Sequence, residues 1–219
     1  SAIWTPLVER GYIKKNPFQG IRPKRKEKKK RRKFTKAEGT IVLNAVYEQS
    51  TILFYSLILQ HGCLIRPSEL LRLRFWHVNA NDGYVLVEET DAKTHRERIA
   101  PIPEDYLLFF HEDFWKKYPR DYLIFGQRLK PHPKVPCGSG SLYRKHQKIL
   151  KELKEQGELG NITGLTYYSW KDTGITDIVD QLGIMVAMDH AGHADIRSTM
   201  VYRHKPKINL KARKLKGLM

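Results

Sequence analysis

The sequence is poor in cysteine, and none of its apolar runs approaches the length of a membrane span. Cys63 and Cys137 are its only cysteines, and they form no C-x-x-C pair. Neither a disulfide framework nor a cysteine zinc site is therefore expected, and a reducing, cytosolic compartment fits this usage. The most apolar stretch, residues 51–60, is far shorter than the ~20 residues that a membrane helix needs. The composition thus gives no reason to expect a membrane partner.

Acidic residues are also scarce relative to basic ones. The 219 residues include 40 Lys and Arg against 23 Asp and Glu, which gives a formal net charge of +17. Such an excess favours a polyanionic partner, most simply DNA or RNA, although a basic protein with no such partner is the alternative. The length allows one full domain and part of another. Because the chain begins at Ser1 with its first predicted helix already under way, we expect a fragment of a longer protein.

Much of the positive charge lies in one segment near the amino end. Residues 22–36 hold 11 basic side chains and a single acid, Glu27. Like charges at this density oppose packing, so residues 21–34 are predicted to form an extended linker. A linker that lies on DNA phosphates is preferred to a disordered tail because folded sequence flanks it on both sides. The side chains expected to contact phosphates are Lys24, Arg25, Lys26, Lys28, Lys29, Lys30, Arg31, Arg32 and Lys33.

Local patterns elsewhere predict a mainly helical α+β domain. Thr35 and Glu38 have the T-x-x-E spacing of a capping box, so a helix should follow Thr35. Alternating segments at 84–88 and 97–102 predict a β-hairpin with residues 91–95 at its tip. The chain has no internal repeat, and we expect about seven or more helices with one small antiparallel sheet. Further helices are predicted at 2–13, at 52–60, from Pro67 onward, and at 104–117, 141–157, 169–182, 184–191 and 196–203, with a basic helix-like tail at 207–216.

Two basic side chains stand where phosphate chemistry could use them. Arg66, in H-G-C-L-I-R-P-S-E-L-L-R-L, directly precedes a predicted helix, whose free backbone N–H groups and dipole favour an anion. Its planar guanidinium can bind two phosphate oxygens, although an arginine that caps a neighbouring helix is an equal alternative. Lys93, in T-D-A-K-T-H-R at the hairpin tip, could reach into a groove and act as a general acid. A lysine on a turn is more often simply solvated.

Two further strings lie downstream. The first, T-Y-Y-S-W-K-D-T-G, contains Tyr168, Lys171 and Asp172, and the second, G-H-A-D-I-R-S-T-M-V-Y, places Tyr202 nine residues after His193. Lys171 carries a positive charge but lacks the bidentate fork of an arginine. Tyr168 can donate a hydrogen bond, but a phenol with a pKa near ~10 is a poor proton shuttle at neutral pH.

In this order and spacing, the four strings resemble the motifs of the tyrosine recombinase (phage integrase) family over residues 34–204. The string around Arg66 is similar to the family's G-x-R-x-x-E-L-x-x-L box, and the last string to L-G-H-x-x-x-x-x-T-x-x-Y. The usual H-x-L-R-H-T differs here, since Tyr168, Lys171 and Asp172 replace its His, Arg and second His. That string is closer to the W-K-H-T-G of divergent mobile-element integrases.

The resemblance implies an enzyme that cuts and rejoins DNA without metal, ATP or any other cofactor. Tyr202 would be the nucleophile and would form a 3′-phosphotyrosine, while Arg66, Lys171 and His193 would stabilise the charge on the phosphate. Lys93 would protonate the departing 5′ oxygen. The implied site residues are Arg66, Lys93, Tyr168, Lys171, His193 and Tyr202.

The resemblance also implies a domain organisation and partners. Residues 1–20 would be a remnant of a preceding DNA-clamping, or core-binding, domain, and residues 35–206 the catalytic domain. Residues 207–219 would be a basic tail or helix used in docking between protomers. The implied partners are duplex DNA attachment sites and three further copies in a homotetramer, at work on nucleoid DNA in a prokaryotic cytosol.

Other interpretations stay open at this point. A relative that binds DNA but no longer cuts it would explain the unusual Tyr168, Lys171 and Asp172. A type IB topoisomerase-like enzyme would use the same tyrosine chemistry without site specificity, and a plain helix-turn-helix regulator would explain only charge and helices. His190 and His193 have the spacing of a metal pair, but no third ligand is evident, so no metal site is predicted.

Overall fold

The computed structural model describes residues 3–20, 31–88, 97–193 and 195–202, and the chain divides into two compact units, residues 1–30 and residues 31–219. The first unit contains helix α1 (Trp4–Glu9), and the rings of Trp4 and Phe18 pack with centroids 5.5 Å apart. This helix is shorter than predicted, because Gly11 takes a left-handed conformation with φ +75°. The assignment of this unit to a DNA-clamping domain stays a prediction.

The second unit is mainly helical, which confirms the predicted fold class. Thr35 caps its first helix as predicted: its hydroxyl accepts a hydrogen bond from Glu38 N (3.2 Å), and the Glu38 carboxylate accepts one from Thr35 N (2.9 Å). The predicted tail at 207–216 lies outside the described residues. The helices are α2 (Lys36–Gln49), α3 (Thr51–His61), α4 (Pro67–Leu70), α5 (Glu104–Leu107), α6 (Asp113–Lys117), α7 (Ser141–Glu155), α8 (Ser169–Leu182), α9 (Ile184–Ala191) and α10 (Arg197–Met200).

One antiparallel sheet contains the predicted hairpin. Its strands are β1 (Val78–Asn79), β2 (Tyr84–Val87) and β3 (Arg98–Pro101), in that order across the sheet. The pairing of β2 with β3 confirms the hairpin, whereas β1, with two residues, is too short to show alternation in the sequence. The hairpin tip at 91–95 lies outside the described residues.

The predicted helix at 104–117 is broken into α5, one 3₁₀ turn at Leu108–Phe110, and α6. The break occurs at Glu112, which is extended at ψ 158°. Tyr55 reaches this point from α3 and donates a hydrogen bond to Glu112 Oε2 at 2.5 Å. The spacing of apolar residues over 104–117 is that of a single helix, so the sequence predicted one continuous helix. The contact between Tyr55 and Glu112 joins residues far apart in sequence and leaves no trace in that spacing.

Helix α3 forms the centre of the core. Its residues Ile52–Gln60 are all buried, and it packs between α2 and α8. Phe34 stacks on Trp170 of α8 with ring centroids 4.4 Å apart. The end of α3 and the start of α8, where the candidate residues lie, are therefore fixed by the core. None of the helices in the described parts of the chain is long and apolar enough to cross a membrane.

A buried histidine on α7 should make the second unit sensitive to acid. His146 is fully buried and accepts a hydrogen bond from Trp170 Nε1 at 2.9 Å, and burial lowers the pKa of His146 to about 3. The unfolded chain binds a proton near pH ~6.5, so below that pH protons favour unfolding, by ~1.4 kcal/mol per pH unit until the folded pKa is reached. We expect the melting temperature to fall steeply between pH 7.5 and pH 5.

The contribution of His146 can be separated by substitution. His146→Gln keeps an acceptor for Trp170 but does not titrate, so its melting temperature should fall less between the two pH values than that of the wild type. His111→Gln, at an exposed position, is the matched control. Equal acid sensitivity in wild type and His146→Gln would contradict this assignment.

Candidate active site

Arg66 lies in the segment that joins α3 to α4. Leu64, two residues before it, has a left-handed φ of +52°, which is uncommon for a residue with a branched side chain. Pro67 then begins α4, and Glu69 in that helix accepts hydrogen bonds from Arg66 N (2.7 Å) and Arg66 Nη1 (2.6 Å). The Arg66 side chain is 29% exposed, so it is held in place and still open to solvent.

Glu69 binds a second arginine, Arg98, which belongs to none of the motif strings. Arg98 Nη2 lies 3.0 Å from Glu69 Oε2, and Arg98 Nη1 donates to His190 O at 3.1 Å. Burial by itself would raise the pKa of Glu69, but the charge of Arg98 and the bond from Arg66 N lower it below its usual range. The alternation of β3 could have indicated this role. Arg98 lies on the same face of the strand as buried Ala100, whereas Ile99 between them is exposed.

Lys171 lies in the first turn of α8 and is completely buried. Its ammonium donates a hydrogen bond to Leu64 O, the same carbonyl that accepts one from Arg98 Nη2 at 3.4 Å. Burial and then the nearby charge of Arg66 lower the pKa of Lys171 well below its usual value. The lysine therefore lies beneath the Arg66 segment and not on an open surface.

His193 follows α9 and joins the same cluster. Gly192 before it is left-handed at φ +61°, and its carbonyl accepts a hydrogen bond from Arg66 Nη2 at 3.2 Å. His193 Nδ1 lies 2.8 Å from Thr199 Oγ1. Burial, followed by the charges of Lys171 and Arg66, lowers the pKa of His193 to about 4. The imidazole is therefore neutral at pH 7.

Tyr202 meets a carboxylate of α8. Its hydroxyl donates a hydrogen bond to Asp172 Oδ1 at 2.7 Å, and Asp172 Oδ2 lies 3.0 Å from Arg31 Nε. The Arg31 guanidinium also lies over the ring of Tyr168, 4.4 Å from its centroid. Burial and then the hydrogen bond to Asp172 raise the pKa of Tyr202, and burial and then the charge of Asp172 raise that of Tyr168. The Tyr202 ring packs on a small apolar cluster that includes Leu64.

The structure brings together five of the six candidate residues. Arg66 Nη2 donates to Gly192 O, next to His193, and Lys171 donates to Leu64 O, two residues before Arg66. Tyr202 donates to Asp172, whose partner Arg31 lies over the Tyr168 ring. The sixth candidate, Lys93, lies outside the described residues. So do the predicted phosphate contacts Lys24, Arg25, Lys26, Lys28, Lys29 and Lys30.

The last part of the predicted linker, residues 31–34, belongs to the second unit. Arg32 forms two 2.8 Å hydrogen bonds with the Glu38 carboxylate, and these lower the pKa of Glu38 to about 2. Arg31 is paired with Asp172 as described above. The sequence could not show either ion pair, because charge density alone predicts repulsion and both carboxylates lie beyond the charged run. Phosphate binding by Arg31, Arg32 and Lys33 stays a prediction.

The described residues hold no group of three or more His, Cys, Asp and Glu that could bind a metal ion. The possible pair of His190 and His193 has other partners, since His190 Nε2 lies 3.2 Å from Pro101 O and His193 faces Thr199.

The sequence matches the Phage integrase family over residues 41–208. No curated protein matches the chain. Among solved structures, a XerA recombinase is 15% identical (TM-score 0.65; 87% of this chain, 65% of that chain). A lambda integrase dimer bound to a COC′ core site is 18% identical (TM-score 0.70; 100% and 59%), and a Tn1549 transposon integrase in complex with circular intermediate DNA is 15% identical (TM-score 0.65; 96% and 74%). At these identities the likeness shows the fold, and the chain spans 65% and 59% of the first two.

Proposed function

The chain belongs to the phage integrase family, and on that premise we propose that it cuts and rejoins duplex DNA at specific sites through a bond to Tyr202. The observation that carries the proposal is the convergence of Arg66, Lys171 and His193 from three separate segments of the chain. Tyr202 joins this cluster through its hydrogen bond to Asp172, the residue after Lys171. Arg66 is 29% exposed, so a phosphate can reach it from solvent.

Arg66 would bind the scissile phosphate. Glu69 and Gly192 O hold two of its nitrogens, and the N–H groups that remain can donate to phosphate oxygens. Glu69 also binds the largely buried Arg98, so a second positive charge adds to the positive electrostatic potential at the phosphate site. Fixed donors of this kind stabilise the extra charge of a phosphorane-like transition state, and the loss of one costs ~10²–10³ in rate.

His193 and Lys171 would complete the set of donors. When the Thr199 hydroxyl donates to His193 Nδ1, the neutral imidazole carries its proton on Nε2 and can donate it to a phosphate oxygen. Lys171 would add a positive charge below the Arg66 segment, because a bound phosphate anion favours the charged form of the lysine.

In the proposed reaction, the Tyr202 oxygen attacks phosphorus as the bond from phosphorus to the 5′ oxygen breaks. Lys93 gives its proton to that leaving oxygen. The 3′-phosphotyrosine keeps the energy of the phosphodiester bond, so attack by the 5′ hydroxyl of a partner strand rejoins DNA without ATP. The basic residues 24–33 would bind flanking phosphates, and four protomers would act on two duplexes.

The experiment is a covalent-adduct assay. Duplexes bound by the protein are selected from a random pool, then nicked beside the cleavage position so that the released 5′ end diffuses away. We expect a protease-sensitive adduct on denaturing gels, formed with EDTA present and without ATP. Strong site-selective binding with no adduct would contradict the proposal and would establish a DNA-binding relative.

That second candidate has its own support. Lys171 is completely buried, and the Tyr202 hydroxyl is already engaged by Asp172. The selected sequence also distinguishes a topoisomerase-like enzyme from a site-specific recombinase. A topoisomerase-like enzyme would relax supercoiled plasmid with no preference for that sequence.

A further inference from the structure

The hydroxyl of Tyr202 has a carboxylate acceptor at a position where the usual recombinase motif has a histidine. It donates to Asp172 Oδ1 at 2.7 Å, and the Asp172 side chain is only 12% exposed. Asp172 stands on the first turn of α8, whose core contacts fix it, and Tyr202 packs against an apolar cluster that includes Ile175 of the same helix. The contact thus joins two well-positioned groups.

A phenol must lose its proton when it attacks phosphorus, and the site offers few acceptors. Tyr168 stands where the related motif has a histidine, and burial raises the pKa of Tyr168, so it is no base at neutral pH. Lys171 is buried and donates to Leu64 O. Of the described side chains around Tyr202, Asp172 is the one carboxylate in hydrogen-bond contact with it.

We propose that Asp172 is a catalytic residue, the general base that accepts the proton of Tyr202 during DNA cleavage. The inference rests on the proposed function. As the oxygen of Tyr202 bonds to phosphorus, its O–H bond breaks and the proton passes to Asp172 Oδ1, while the leaving 5′ oxygen takes a proton from Lys93. In the rejoining step Asp172 returns the proton to Tyr202. An aspartate plays the same part towards substrate hydroxyls in protein kinases.

Arg31 positions this base. It binds Asp172 Oδ2 at 3.0 Å and lies over the Tyr168 ring, which leaves Oδ1 to Tyr202. Arg31 and Tyr202 bind the carboxylate, and the other titratable groups that interact with its charge are Tyr168 and Lys171. A rival account is that the hydrogen bond restrains Tyr202 in its neutral form, and that account predicts a change of rate in the opposite direction.

The first test is Asp172→Asn, which keeps the shape and an acceptor oxygen but cannot take up a proton. In single-turnover cleavage of the selected nicked duplex at pH 7, we expect a rate ~10²–10⁴ lower than wild type. The rate of Asp172→Asn should rise about tenfold per pH unit, because hydroxide then removes the proton, while wild type is flatter. Arg31→Gln removes the same ion pair but keeps the carboxylate, so it should be only moderately slower and keep the wild-type pH profile.

A second substrate separates the attacking side from the leaving side. With sulfur in place of the bridging 5′ oxygen, the leaving group needs no proton. The defect of Asp172→Asn should persist on this substrate, whereas a defect on the leaving side would disappear. Rescue of Asp172→Asn by sulfur would overturn the proposal.

The outcomes also separate this inference from the proposed function. If wild type forms no adduct, the proposed function fails. If wild type forms it and Asp172→Asn cleaves as fast or faster, Asp172 is not the base. The melting temperature and the DNA affinity of Asp172→Asn show whether this variant is folded. Asp172→Glu restores a carboxylate, so it should recover part of the cleavage rate and show a wild-type pH profile. Failure of Asp172→Glu to exceed Asp172→Asn would count against the proposal.

Discussion

Tyr202→Phe should abolish the covalent protein–DNA adduct, and Tyr168→Phe should leave it detectable. The phenylalanine keeps the ring on its apolar cluster but removes the oxygen that would bond to phosphorus. Asp172 keeps Arg31 as its partner, so the fold should tolerate the change. Both variants are compared with wild type on the same nicked duplex by denaturing gel.

Tyr168→Phe is the matched control because this second tyrosine lies in the same site, beside the same charged groups. It can contribute at most a hydrogen bond, so its loss should slow the reaction without stopping it. An adduct that survives Tyr202→Phe and disappears with Tyr168→Phe would reverse the assignment of the nucleophile.

Gly174→Ala should strongly destabilise the second unit. A β-carbon at Gly174 would lie 2.1 Å from His61 O and 2.9 Å from Leu64 Cδ2, and the carbonyl is backbone that cannot swing aside. Helices α3 and α8 would have to separate, at a cost of ~3 kcal/mol or more, which corresponds to a fall of at least ~6 °C in melting temperature. Since α8 carries Lys171 and Asp172, DNA cleavage should fall as well.

Gly39→Ala provides the comparison within the same core. A β-carbon at Gly39 would make ordinary contacts at 3.9 Å with Phe34 and Trp170, and the residue lies in α2. Alanine should stabilise this helix by ~0.5–1 kcal/mol. Equal effects of the two substitutions on the melting temperature would contradict the close approach of α3 and α8.

Local signals in the sequence predicted much of the fold. The capping box of Thr35 and Glu38, the alternation of the hairpin strands and the apolar run of α3 each depend on residues a few positions apart. These features need no knowledge of which distant segments pack together. That Arg66, Lys171 and His193 would share one site was implied only by the resemblance of the motif strings to those of tyrosine recombinases.

The contacts that define the chemistry could not be predicted in this way. Glu69 and Arg98 are 29 positions apart, Asp172 and Tyr202 are 30, and Arg31 and Asp172 are 141. Each pairing depends on how α3, α8 and the sheet pack together. The periodicity of apolar residues along the sequence carries no information on this long-range packing. The burial of Lys171 likewise follows from α8 lying against the segment after α3, which the residue's charge does not reveal.

The central claim is that Tyr202 becomes covalently bonded to DNA. The most direct measurement is to trap the adduct, digest it with nuclease and protease, and identify the modified residue by mass spectrometry. We expect the remaining nucleotide on the peptide that contains Tyr202, joined through a 3′ phosphate. A nucleotide on any other residue, or one joined through its 5′ end, would contradict this account.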